Sequence, residues 1–344
     1  MGNARPTFGL RIPPCRPASE VAEFVRRTED AGFDVAWLPD SQFLWRDVWA
    51  SLALSAPRTS TIRLGTCVTN FETRHPSVTA AAAATLDELA PARVILGIGT
   101  GDSSVKTLGL APTSLARMRE QIGVIRTLLR GDAADFDGRP MRLETPPAEI
   151  PVYMAANAPK ALALAGELCD GVITVAGIRP EALQAVVAHV SGGAGRSGRS
   201  LADVDICAGV ICHVTDDPAE AARIVRPYVV AMAQTGGQAA LREVGIDVDP
   251  PAIVGGIYPD VSHAKDWDTA STACEEWVSD EQALRFADAY CLVGSAEHCV
   301  SRLEDAAGAG ATSFYVRHVS SYTLPSEVLE AFRASIIPRF RVTA

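Results

Sequence analysis

A chain of 344 residues with 48% hydrophobic and 21% charged side chains can bury a large core, which sets aside disordered classes and small folds that depend on metal or disulfide staples. A formal net charge of −10 with dispersed Lys and Arg argues against a nucleic-acid partner. No uncharged apolar run reaches the roughly 18 residues of a membrane span and no signal-peptide pattern is seen, so no membrane partner is expected and the expected compartment is the cytoplasm.

Short apolar runs alternate with helical patterns from the start. Phe8–Ile12 predicts a first strand and Ser19–Ala31 a helix, with Ser19 as N-cap and Gly32 as the stop. Asp34–Leu38 predicts strand two, Arg46–Pro57 a helix, Ile62–Val68 strand three and Pro76–Leu89 an Ala-rich helix. Arg93–Ile98 follows as strand four, then a helix from Thr113 to Leu129. Pro151–Ala155 and Gly171–Val175 predict strands five and six, each followed by a helix, at Pro159–Leu168 and Pro180–Val190. Val204–Val214 is strand seven, and Ser313–Arg317 is strand eight, closed by a helix over Pro325–Ile337. Eight apolar strands separated by helices predict one (β/α)8 TIM barrel spanning 1–344, because strands covered on both faces need not alternate. An open dinucleotide-binding sheet fits less well, since no glycine-rich turn follows strand one.

The period breaks between strands seven and eight, where about a hundred residues exceed what a connecting helix needs. This insertion, at about 233–290, is expected over the catalytic face or at a subunit contact; Tyr258, His263 and Trp267 are its candidate substrate contacts, or packing aromatics. The eight cysteines form no CxxC pair and read as small buried hydrophobes. Cys207, Cys212 and His213 suggest a metal cluster only superficially, since Cys207 and Cys212 would face opposite sides of a strand; no metal is expected.

In a barrel the chemistry sits just after the strands. After strand two, Asp40, Ser41 and Trp45 offer a carboxylate, a hydroxyl and an indole, or simply a helix cap with an aromatic beneath it. After strand three, Arg74 and His75 precede a helix that starts with proline, where they could meet an anion or cap the loop; His is the side chain best suited to proton transfer near neutrality. After strand four, Gly97, Gly99 and Gly101 let a flat ligand or another backbone approach, beside Thr100 and Asp102. After strand five, Ala155, Ala156, Asn157 and Lys160 lead into a helix N-terminus suited to phosphate, and Gly177 after strand six repeats the design.

At these residues the chain resembles the luciferase-like flavin and deazaflavin oxidoreductase superfamily. Leu38-Pro39-Asp40 with Trp45, the runs 63–70, 74–76, 86–89, 93–102 and 160–172, and the late 292–295 occur in family order over nearly the whole chain. Within it the sequence is similar to F420-dependent methylenetetrahydromethanopterin reductases and glucose-6-phosphate dehydrogenases. The resemblance implies a homodimeric barrel binding F420, or alternatively FMN, across its strand ends. It also implies a non-prolyl cis peptide at Cys67-Val68 behind the ring, with Asn70 in the same motif, Asp40 at the ring edge, and Gly99, Thr100, Gly101 and Asp102 beside ring and substrate. Trp45 matches an active-site tryptophan, and Ala155, Ala156, Asn157, Lys160 and Gly177 match the phosphate turn. Ser41 departs from the pattern, standing where the sugar-phosphate dehydrogenases carry a catalytic His; it cannot take a proton without a partner base. The expected activity is hydride transfer between F420 and a small organic substrate, with Asp102 or His75 handling the proton and Ser41 orienting the substrate. An FMN-dependent monooxygenase and a non-catalytic flavin-binding barrel are the alternatives.

Overall fold

The computed structural model of the chain describes residues 5–341. Eight parallel strands, β1 (Thr7–Arg11), β2 (Val35–Leu38), β3 (Arg63–Thr66), β4 (Val94–Gly99), β5 (Val152–Ala155), β6 (Gly171–Thr174), β7 (Asp205–Val214) and β8 (Ser313–Arg317), follow one another around a closed barrel. Closure comes from β8 pairing back onto β1, with Leu10 opposite Val316. Helices cover the outside, and their apolar stripes meet the outward residues of the strands, as Phe8, Leu10, Phe314 and Val316 do.

Alternation along the strands fills the interior. Val35, Trp37, Ile95, Tyr153, Ile173, Cys207 and Tyr315 form a separate apolar plug inside the barrel. The Trp37 indole fits there because its neighbours on β1 and β3 are Gly9 and Gly65; a methyl group at either would overlap the ring. Cys207 belongs to this plug and Cys212 to the outer core, so they face opposite sides of β7, and all eight cysteines are free thiols.

The first helix runs Ala18–Asp30 and buries Val21, Ala22, Phe24 and Val25. Its N-cap is Pro17 with no side-chain bond, so Ser19 lies inside the first turn rather than capping it. Gly32 ends it in the left-handed region (φ +88°), donating its N–H to the Glu29 carbonyl.

Three features depart from the expected elements. Strand three stops at Thr66, just before the Cys67-Val68 peptide, which is cis as the resemblance implies, and Thr69–Asn70 then pairs onto β4 as a separate two-residue strand. The β4–β5 connection contains a hairpin, Ala134–Phe136 with Arg139–Met141, whose turn residues Asp137 and Gly138 both have positive φ, as a two-residue hairpin turn requires. Inside the long insertion, Cys291–Gly294 forms a further parallel strand on the carboxyl half of β7, followed by the helix Ala296–Gly308.

The insertion has its own apolar cluster, in which Val225, Val229, Leu241 and Phe286 pack on Ile211 of β7. Arg226, 5% exposed, is paired with Glu275 (3.0 Å) and Asp280, which ties its helix Pro218–Gln234 to the segments above. The insertion caps the carboxyl ends of the strands: residues from both line one large chamber. Among the described residues no helix is long and apolar enough to cross a membrane, and no group of three His, Cys, Asp or Glu is placed to hold a metal ion.

Candidate active site

A cavity of about 640 Å³ opens at the carboxyl ends of the strands, within the usual size of a small-molecule site. Asp40, Trp45, Cys67, Val68, Asn70, Gly99, Thr100, Gly101, Asp102, Ala155, Ala156 and Asn157 all line it. Its floor is the irregular end of strand three. Gly97 is glycine because a Cβ there would overlap the Thr66 carbonyl, and the two residues also exchange hydrogen bonds: Thr66 Oγ1 donates to Gly97 O (2.8 Å) and Gly97 N donates to Thr66 Oγ1 (3.0 Å). Of the two explanations for these glycines, a neighbouring backbone is the one realised at Gly97. A Cβ on Gly99 would come within 2.8 Å of Val68 Cγ2, and Gly101, at φ +98°, faces Val105.

Asp40 is buried at the cavity edge. Thr69 Oγ1 donates to its Oδ2 (2.7 Å), and the Arg74 Nε lies 3.3 Å from the same oxygen while the other end of that guanidinium reaches Asp47 (2.7 Å). The carboxylate is thus oriented from behind, and its charge is compensated. Trp45 is held by its indole N–H, which donates to the Ser321 carbonyl (2.6 Å) from the loop after β8. Asp102 stands at the open mouth, ion-paired with Lys106 (2.6 Å). Burial pushes the Cys67 thiol up to about 12, so it remains a neutral thiol near pH 7 rather than a nucleophile.

Two lining residues prove to be braces. Asn70 Oδ1 accepts from the N–H groups of Glu72 and Thr73, and its Nδ2 donates to Ser104 Oγ (3.0 Å), pinning the loop after strand three to the segment after β4. Asn157 Oδ1 accepts from Val175 N (2.8 Å) and Thr174 Oγ1 (3.1 Å), which joins the β5 turn to β6.

Four expected site residues lie elsewhere. His75 is exposed: its Nδ1 accepts from Ser77 N as the cap of the helix Pro76–Leu89, and its ring meets Phe136 edge-on at 4.9 Å. That places it outside the cavity and corrects the expectation of a proton carrier. Ser41 is buried behind Asp40, accepting from Ser103 Oγ (3.0 Å), so it does not face a substrate. Lys160 points to solvent. Gly177, at φ +92°, lies under the Ala289 carbonyl, which a Cβ would approach to 2.6 Å; packing of the insertion explains this glycine.

A second chamber of about 1090 Å³ adjoins the first beneath the insertion, and the two share Arg11, Asp102, Asn157, Ala158, Val175 and Arg317. Its far wall includes Tyr228, Met232, His263 and Phe286. Of the three insertion aromatics, His263 lines the chamber and is paired with Asp260 (2.9 Å), 6.4 Å from the Trp45 ring. Trp267 is a packing residue, donating to the Ile224 carbonyl against Tyr228, while Tyr258 is 69% exposed.

Arg11 and Arg317 were not expected from the sequence, although a signal was present. Each is the last inward residue of a strand whose other inward positions are small or aromatic, and a charge there cannot be core.

A closed parallel barrel with a polar-edged cavity at its strand ends defines a small-molecule site of the TIM-barrel kind. The family model described as luciferase-like monooxygenase matches residues 5–313, and the chain belongs to that family. It is 30% identical to the 5,10-methylenetetrahydromethanopterin reductase of Methanolobus tindarius over 89% of this chain and 92% of the relative. It is 33% identical to the F420-dependent glucose-6-phosphate dehydrogenase of Nakamurella multipartita over 54% of this chain and 61% of that one. The solved structure of the coenzyme F420-dependent tetrahydromethanopterin reductase from Methanopyrus kandleri superimposes with a TM-score of 0.76 at 26% identity, covering 98% of this chain and all of that one.

Proposed function

We propose that this chain is an F420-dependent oxidoreductase that moves a hydride between the deazaflavin and a small organic substrate. The observation that carries the reading is the cavity over Cys67-Val68, with the oriented carboxylate of Asp40 at its edge. The residues present fit such a group. Val68, Gly99, Ala155 and Ile173 offer a floor of small and apolar side chains for a flat ring. Asp40 would hold a ring-edge donor. The turn 155–158 leads into the helix Pro159–Leu168, whose N-cap Ala158 makes no side-chain bond and leaves backbone donors for a phosphate. When bound, the deazaflavin supplies a two-electron hydride donor or acceptor at C5.

The remaining work falls to side chains of the mouth. Trp45, fixed by Ser321, walls the cavity and excludes water. Asp102 holds or releases the accompanying proton at its carboxylate, with Lys106 as its counter-charge. The same reading includes a homodimer in the cytoplasm, the dimer being testable by sedimentation.

Fluorescence titration of the purified chain with F420, beside an absorbance titration with FMN, tests the proposal. Saturable F420 binding tighter than FMN binding is expected. Tighter FMN binding, or none by F420, would overturn it.

A further inference from the structure

Arg11 and Arg317 reach the barrel mouth from adjacent strands. Gly9 and Arg11 face inward on β1, and Tyr315 and Arg317 on β8; the register that sets Gly9 opposite Tyr315 and Leu10 opposite Val316 makes the two arginines neighbours at the next step. Like charges side by side on paired strands repel. Arg11 is only 6% exposed, and Arg317 Nε is buried without a hydrogen-bond partner. The titratable groups that face the pair are Tyr228, Tyr315, Cys67, Cys291, His318 and Cys15, together with each other, and none of these is a carboxylate. Arg11 does lie over the Trp45 ring at 5.1 Å, a cation–π contact that supplies no anion. The other buried arginine among the described residues, Arg226, is compensated by Glu275 and Asp280.

Two adjacent cations without an anion, Arg11 buried and Arg317 half-buried with its Nε enclosed, carry a desolvation cost. Burial lowers the Arg11 guanidinium below its ordinary value, while Arg317, despite burial, is raised by the facing Tyr228 and Tyr315, and both stay charged. The missing partner must come from a ligand, and the chambers indicate which one. Both arginines line the 640 Å³ cavity and the 1090 Å³ chamber, at the junction between them. The turns suited to a cofactor phosphate follow β5 and β6, across the mouth from β1 and β8. Beyond the arginines the chamber offers the apolar surfaces of Ile211, Tyr228, Met232 and Phe286 beside the polar Arg179, Glu181, Glu243 and His263.

We infer that Arg11 and Arg317 form an anion-binding subsite for the substrate, which is an organic acid carrying its carboxylate or phosphate on a largely apolar body. The pair anchors the acid group, and the apolar body lies under the insertion. Planar guanidiniums grip either oxyanion with paired N–H bonds, which a neutral amide cannot reproduce. This inference rests on the proposed function only for assigning the smaller cavity to the cofactor.

The test is calorimetric titration of the protein, free and saturated with F420, with 3-phenylpropionate, phenyl phosphate and the neutral 3-phenylpropionamide. At least one acid is expected to bind the F420-saturated protein at least about tenfold more tightly than the amide, and Arg11→Met and Arg317→Met should each weaken it by a similar factor. Both variants should melt at or above the parent temperature, since each removes an unpaired charge. Equal binding of acid and amide, or binding unaffected by both substitutions, overturns the inference. So does competitive displacement of the acids by F420, which would give the arginines to the cofactor. Failure of F420 itself to bind would sink the proposed function, while acid binding to the free protein still decides the subsite.

Discussion

Gly97→Ala adds one methyl group on β4, two residues before the cavity-lining Gly99, where a Cβ would overlap the Thr66 carbonyl oxygen and lie 3.2 Å from its carbon. Relief requires the backbones of β3 and β4 to separate, and both are locked in a closed barrel. Overpacking of this kind costs about 1–3 kcal/mol, and separation stretches the two hydrogen bonds between Thr66 and Gly97, worth about 1 kcal/mol each. The expected loss is therefore about 3–5 kcal/mol. Urea denaturation followed by linear extrapolation measures it, with Gly123→Ala as the control of opposite sign. Gly123 lies within the helix Leu115–Leu129 with nothing inside 4 Å of its would-be Cβ, so alanine there should stabilise by about 1 kcal/mol. A Gly97→Ala protein within about 1 kcal/mol of the parent would refute the reasoning.

Further outcomes follow from individual contacts. His318, whose Nε2 donates to the Thr323 carbonyl (2.7 Å), is held neutral: burial, aided by nearby Arg11, lowers it to about 3. Its folded value lies below the unfolded one, so the unfolded chain takes up the proton first. Stability from this residue is complete above about pH 6.5 and declines toward pH 3 by up to ~1.4 kcal/mol per unit. His318→Asn should flatten urea stability between pH 6.5 and 4.5, a window above that of Asp260, which its bonds to His263 hold at about 2 despite burial. His75→Ala should cost about 1 kcal/mol through the lost helix cap and leave kcat/KM unchanged; a large fall in kcat/KM would restore His75 to the chemistry. Asp40→Asn should weaken F420 binding about tenfold, as loss of a charge-assisted bond does, and unaltered fluorescence titrations would remove Asp40 from the cofactor's edge.

The barrel was legible because its signals are local. Apolar runs of strand length, helical stripes and stops such as Gly32 are all set by near neighbours. The cavity-lining positions after β2 to β5 were legible for a related reason: a strand end in this architecture faces the mouth whatever its detailed packing. What sequence position could not settle was the direction of a side chain within a loop. Ser41 turns to Ser103 and His75 to Phe136, because those hydrogen bonds and ring contacts bring together segments far apart in the chain. The strand Cys291–Gly294 escaped notice because four residues inside a long insertion carry almost no periodicity, and its partner on β7 is supplied by the fold.

By itself the order of residues determined that strands and helices alternate, which side chains stand at the strand ends, and that an irregular insertion precedes the last strand. The tertiary structure alone decided that Arg11 and Arg317, from opposite ends of the chain, become neighbours with no carboxylate between them. Barrel closure is the physical reason: pairing of the first strand with the last is a long-range contact, and only that contact converts two isolated charges into one concentrated positive site.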